Sequence, residues 1–230
     1  MKIDSSGRKR LFLFTGSYVP SDRSAIHTGT GRFAPLRMRT MSLFETGDSN
    51  GTVSLSELFS GTEMKTVKSS LDYGKAIRLM CKGGWPGELD MSGEDAVEIS
   101  KAYINLVANS DASCVDGKKR SPEKVEKLII SLARNTATYA SLDTIASDMA
   151  GKGNKKPGEN TVRDYLGALR KLFLVEEQRG WSPNLRSTVR TQSSPKRHLT
   201  DPSLAAAAVY NGPGELEQDL NMAGFLFESL

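Results

Sequence analysis

"TVRDYLGALRKLFL", residues 161–174, decides the fold. Val162, Tyr165, Leu166, Leu169, Leu172 and Phe173 recur at helical spacing, so the segment reads as a helix that buries one stripe. Arg163, Arg170 and Lys171 lie off that stripe at offsets 0, 7 and 8, and point to roughly one side. Two more segments upstream have the same character. In 121–133 the apolar residues are Val125, Leu128, Ile129 and Leu132, and in 141–150 they are Leu142, Ile145, Ala146 and Met149. Each helix has a start signal. Pro122 follows Ser121 at a first helical position. Ser141 is an N-cap candidate, and Thr161 with Asp164 has capping-box spacing.

Downstream, "LFLVEEQRGW" (172–181) reads as a strand and turn, and "SPKRHLTD" (194–201) as the returning strand. Three helices followed by a hairpin is the pattern of a winged helix-turn-helix. Here the third helix would offer Arg163, Arg170 and Lys171 to a nucleic acid, with Arg179 in the wing. Charge agrees: residues 118–200 carry 17 Lys/Arg against 8 Asp/Glu, between acidic blocks at 41–117 and 201–230. A basic block suits DNA or an acidic protein; an ordinary solvated surface is the bland alternative.

The N-terminal third reads differently. "LFLF", residues 11–14, is a buried-strand run that stops at Thr15, Gly16 and Ser17. "RFAPLRMRTMSLFE" (32–45) suggests a strand and a turn. Short helix 54–61, helix 66–81 and helix 94–109 follow, the last with Ala96, Ile99, Tyr103 and Leu106 on one face. Gly83, Gly84 and Pro86 break the chain between the last two. The run "LAAAAV", 204–209, reads as a short apolar helix without chemistry.

Several chemistries lack their residues. A phosphate cradle of the form G-x-x-x-x-G-K-S/T is absent, and "GKGNKKPG" (151–158) lacks its ending. Nothing places a nucleophile beside His27 or His198, and no metal-type spacing joins Cys81 and Cys114. The expectation is therefore no catalytic residue, no metal and no cofactor in this chain. No apolar run approaches the length of a membrane span or a signal peptide, and the two cysteines read as reduced thiols of a cytoplasmic protein.

The chain resembles prokaryotic AAA-type ATPases that carry a C-terminal domain of unknown function (DUF 4143 type). The resemblance rests on "LFTGSYVP" (13–20), "GTGRFAPLRMRTMSLFETGDS" (29–49), "GGWPG" (83–87), "SLARNTATYASLDTIASDMA" (131–150), "TVRDYLGALRKLFLVEEQRGWSPNLRS" (161–187), "SPKRHLTDPSLAAAAV" (194–209) and "GFLFESL" (224–230). It implies a mixed α/β, mostly helical chain in four parts. These are a remnant of a P-loop ATPase sheet (1–60), a helical lid (61–117), a winged helix (118–195) and the start of a nuclease-like fold (196–230). Thr15 and Ser17 would sit at the sensor position that reads the γ-phosphate, and Glu228 would match an acid on the nuclease-like fold's first helix. ATP and Mg²⁺ serve the full-length family, but its Walker motifs and later acidic strands have no counterpart here. The resemblance thus implies a truncated relative without catalysis, whose winged helix binds DNA or protein. The alternative is half of a split ATPase, completed by a protein partner that supplies the missing core.

Overall fold

Helix Pro202–Val209 is buried on every side through residues 202–207, and the other helices are arranged around it. Its side chains are mostly alanine, so neighbouring helices can approach its backbone closely; a helix apolar all round belongs in a core. The computed structural model describes residues 13, 15, 16, 34, 36–63, 67–151, 155–183 and 194–230. In chain order its helices are α1 (Leu55–Phe59), α2 (Tyr73–Lys82), α3 (Gly93–Leu106), α4 (Ala112–Cys114), α5 (Pro122–Arg134), α6 (Leu142–Ala150), α7 (Glu159–Lys171), α8 (Pro202–Val209), α9 (Pro213–Glu217) and α10 (Leu220–Phe227). A 3-10 turn at Pro86–Glu88 follows α2, and a π turn at Val107–Asp111 joins α3 to α4. Strands β1 (Val175–Gln178) and β2 (Lys196–Leu199) pair antiparallel, with Val175 opposite Leu199 and Gln178 opposite Lys196. The chain is thus mostly helical with one small sheet among the described residues.

Helix α8 packs on α2, α3 and α5. Ile77 and Met80 of α2, Val97 of α3, Leu128 and Ile129 of α5, Leu169 of α7 and Leu226 of α10 belong to one buried cluster with Leu204 and Ala206. That cluster runs through residues that the sequence reading assigns to lid, winged helix and C-terminal segment. Asp201 caps α8: its Oδ1 accepts from Ser203 N at 2.9 Å, and its Oδ2 accepts from Gly84 N at 2.9 Å. The turn after α2 is thereby fastened to the start of α8. Gly84 O in turn accepts from Met41 N at 2.7 Å, which brings the N-terminal segment onto the same turn.

Glycine is required here for space as well as conformation. Gly83 has φ +71, and a Cβ on it would lie 2.1 Å from Asp201 Oδ1. A Cβ on Gly84 would lie 2.0 Å from the carbonyl oxygen of Met41.

The three regular helices form as their periodicity demands. Val125, Leu128, Ile129 and Leu132 of α5, Ile145, Ala146 and Met149 of α6, and Val162, Leu166 and Leu169 of α7 are buried. Pro122 takes the first position of α5, and Ser141 Oγ accepts from Thr144 N at 3.0 Å to cap α6. The Thr161/Asp164 capping box does not form, because α7 starts two residues earlier with Gly158 at its N-cap. Asp164 is drawn away by two cations instead.

Elsewhere the structure corrects the reading. Of the span expected as a helix at 66–81, the described residues 67–81 are helical only from Tyr73, where Asp72 supplies the cap through Lys75 N. On α3 the buried stripe is Ala96, Val97, Ser100 and Ile104, while Ile99 and Leu106 are 40% and 53% exposed. Residues 36–42 form no strand, and the turn at 43–47 follows directly. Most of "LFLF", like Ser17, lies outside the described residues; Leu13 and Thr15 are exposed and belong to no element.

Gly83→Ala should therefore be costly. It would impose a positive φ on a side chain and push Asp201 out of the α8 cap, at about 2 kcal/mol or more. For a chain of this size that is a fall in Tm of about 4–8 °C, read by thermal melting under circular dichroism. An unchanged melt would mean that the turn and the α8 cap are not coupled.

Candidate nucleic-acid interface

Helix α7 is held along one flank by one arginine. The Arg120 side chain is 1% exposed, and its guanidinium meets two carboxylates and a carbonyl. Nη1 donates to Asp116 Oδ1 at 2.8 Å, Nη2 to Asp116 Oδ2 at 2.9 Å, Nε to Asp164 Oδ2 at 3.1 Å, and Nη1 also to Ala112 O at 2.6 Å. The guanidinium carbon lies 5.9 Å from the ring centre of Tyr165, whose hydroxyl oxygen accepts from Ser121 N at 2.9 Å. Lys118 adds a 2.8 Å ion pair to Asp164. The planar fork thus ties the α4–α5 connection to the flank of α7 at Asp164, a geometry that lysine cannot reproduce. The Arg120 hydrogen bonds hold the Asp116 carboxyl down at about 2, against the cost of its burial. Lys118 and Arg120 hold Asp164 below its ordinary range.

The outward face of α7 is otherwise open, with Asp164 at its edge at an offset of seven from Lys171. Asn160, Arg163, Arg170 and Lys171 are exposed, and Gly167 lies among them on the same stripe. Arg163 Nη1 donates to Asn160 Oδ1 at 3.1 Å. Arg170, 53% exposed, pairs with Glu177 Oε2 of β1 at 3.2 Å. Glu177 also takes Arg197 Nε at 3.2 Å, and Arg197 Nη1 donates to Ala140 O at 2.7 Å, so the hairpin and α7 share one carboxylate. Lys171 and Arg179 are exposed and make no ion pair among the described residues. Lys156, in the loop before α7, pairs with Asp143. A Cβ added at Gly167 would meet nothing within 4 Å, so packing does not explain a glycine in the middle of a helix.

The structure therefore brings Arg163, Arg170 and Lys171 onto one face, with Arg179 at the end of β1. Ser17 and the loop residues 152–154 lie outside the described residues. Glu228 sits at the end of α10 and pairs with Lys196 of β2, a contact within the fold.

Two arginines from the run "LRMRT" escaped the sequence reading. Arg39 grips Glu176 of β1 at 2.8 and 3.0 Å, and Arg37 Nη2 donates to Phe173 O at 2.9 Å with its guanidinium 5.0 Å from the Phe173 ring centre. Their strand-like alternation serves ion pairing with the hairpin, not a sheet. The clue available in the sequence was the unpaired "EE" at 176–177 opposite an arginine-rich segment.

Residues 74–215 match the model of a family described as a domain of unknown function (DUF8612). The chain belongs to that family. Its match covers α2 through most of α9, that is, α8 with α2, α3 and α5 packed on it, while α10 lies beyond it. No curated protein and no solved structure matches the chain. The family overturns the resemblance to AAA-type ATPases with a DUF 4143 type domain, since neither of those matches. The γ-phosphate role given to Thr15 and Ser17, the acid role of Glu228 and the split ATP site all derived from that resemblance and fall with it. The shared strings were helical stripes and turn residues, which many helical proteins use for packing alone.

Removal of Arg120 should uncouple α7 from the body. Arg120→Ala leaves Asp116 and Asp164 without their buried partner, at a cost of about 3 kcal/mol; Arg120→Lys should fall between the two. Both carboxyls are depressed, so their stabilisation is complete above the ordinary carboxylate range and is lost as pH falls through the folded values. Urea midpoints should fall for wild type between about pH 4 and about pH 2, and fall less steeply for Arg120→Ala. Equal slopes would show that the pair carries no pH-dependent stability.

Proposed function

We propose that this protein is a binding module, without catalysis of its own, whose segment 118–195 acts as a winged helix on duplex DNA. Helix α7 enters the major groove with Arg163, Arg170 and Lys171 outward, and the β1–β2 connection, which begins at Arg179, serves as the wing. The observation that carries this reading is the α7 stripe. Its cations are exposed on a helix anchored along its flank at Asp164, and Gly167 opens the middle of the stripe to close approach by a backbone. The order of three helices and an antiparallel hairpin supports it, as does the excess of 17 basic over 8 acidic residues in 118–200.

The same reading places the protein in the cytoplasm. Among the described residues no helix is long and apolar enough to cross a membrane. Both cysteines are free thiols, and burial with the nearby Glu94 pushes the Cys81 thiol up to about 12, which suits an inert, reduced residue.

Fluorescence anisotropy on duplex DNA across a salt series tests the proposal. Four or five phosphate contacts give a log–log salt slope of about −4. Arg170→Glu with Lys171→Glu should flatten that slope and weaken binding, with little change in Tm, since both side chains are exposed. Gly167→Ala should raise helix stability by about 1 kcal/mol while weakening DNA binding. Absence of salt-dependent binding by wild type at low ionic strength would overturn the DNA reading and leave a protein-docking face.

A further inference from the structure

A cavity of about 120 Å³ lies between the 3-10 turn after α2, helix α3 and helix α8, lined by Trp85, Glu88, Ile99, Ser100, Tyr103 and Leu204. Two of its walls are aromatic. The rings of Trp85 and Tyr103 have centres 5.7 Å apart and planes inclined at 60°, which makes a corner and leaves ring faces available. The Trp85 ring is fixed, because its Nε1 donates to Ser203 Oγ at 3.0 Å and Ser203 Oγ lies 3.3 Å from Ser100 Oγ.

The third feature is a carboxylate without a partner. Glu88 is only 8% exposed, and its buried Oε2 has no hydrogen-bond donor among the described residues. A buried carboxylate in that condition is costly to the fold. No arginine or lysine lines the cavity. Lys82 of α2 donates to Leu89 O at 2.9 Å, and Lys101 of α3 is engaged with Glu98 and Asn211. The second acid nearby, Asp201, is fully engaged with backbone N–H groups of Gly84 and Ser203. Burial, with the Asp201 charge beside it, raises the Glu88 carboxyl to about 7.

The surroundings reinforce the sign. Residues 41–117, which supply the turn and α3, carry 12 Asp/Glu against 6 Lys/Arg, and such a field favours the approach of a cation.

We infer that this cavity binds the head group of a small organic cation, a free methylated or protonated amine, with Glu88 as its counter-charge and Trp85 and Tyr103 as its walls. Aromatic faces attract ammonium ions through the ring quadrupole, most strongly where water is excluded. The size fits: a cavity of roughly 150 Å³ holds a benzene ring, so about 120 Å³ takes a trimethylammonium group but not an extended molecule. Ile99, partly exposed at the rim, leaves a way in for such a head with its chain outside. Leu204 connects the site to α8, so occupancy would bear directly on the central helix.

The test uses the full chain with Trp181→Phe, which leaves Trp85 as the sole tryptophan reporter. Choline and tetramethylammonium are titrated against its fluorescence at constant ionic strength, beside 3,3-dimethylbutan-1-ol, the uncharged isostere of choline. The ammonium ions should shift the Trp85 emission at millimolar concentration or below, and the neutral isostere should bind at least tenfold more weakly. Binding should tighten as pH rises through about 7, where Glu88 becomes charged. Glu88→Gln should lower affinity tenfold or more and remove that pH dependence, without lowering Tm, since the change deletes an unpaired buried charge. Equal binding of the neutral isostere, full affinity in Glu88→Gln, or no binding of either ammonium ion at tens of millimolar would each overturn the assignment.

Discussion

Asp201 is a buried carboxylate whose two oxygens each accept one backbone N–H, and the rest of the fold depends on that division. One bond starts α8, and the other fixes Gly84. Charge-assisted hydrogen bonds to main-chain N–H groups are among the stronger ones, and leaving either donor unsatisfied in the interior would cost more than the bond itself contributes. The carboxylate therefore decides where α8 begins and how α2 leaves the core. Gly83 and Gly84 follow from it, since any Cβ there would displace Asp201 or Met41. With its start fixed and its side chains small, α8 can be approached closely by α2, α3 and α5.

Around that centre the basic segment is presented, not merely attached. Arg120 draws its donors inward to Asp116, Asp164 and Ala112, which removes one positive charge from the surface and anchors α7 along its flank. The cations left outward on α7 are then carried by a rigid element, the arrangement that a recognition surface needs. Glu177 shares itself between Arg170 and Arg197, so the hairpin and the helix keep a common orientation. The acidic half of the molecule carries a different feature. There the aromatic corner and the unpaired Glu88 lie against α8, on elements distinct from those that present α7.

Membership in the DUF8612 family changes what the motifs mean. Strings such as "GGWPG" and "SLARNTATYASLDTIASDMA" resembled an ATPase lid and its winged helix because glycine turns and apolar stripes answer to general packing demands. In this chain "GGW" meets two local constraints, the Asp201 bond and the Ser203 bond of Trp85. The arginines at 37 and 39, read as part of a core strand, instead grip the hairpin at Phe173 and Glu176.

The sequence by itself determined helices α5, α6 and α7, their buried stripes and the hairpin, because those stripes repeat at helical spacing and their caps are local. It also determined that Arg163, Arg170 and Lys171 share a side, which is a matter of offset along one helix. Tertiary structure decided everything that joins segments distant in the chain. No local signal says that "LAAAAV" is the centre of the molecule: small apolar residues are compatible with any helix, and only close approach by three others makes alanine necessary there. The rotation of α3, with Ser100 inward and Ile99 outward, was likewise set by its packing on α8, against the simpler reading of its periodicity. Nothing in the sequence marks Arg120, at the end of the run KKR (118–120), or Glu88 as buried. One is buried with its partners and the other without, because the partners come from elements folded against them, and a linear pattern does not carry that distance.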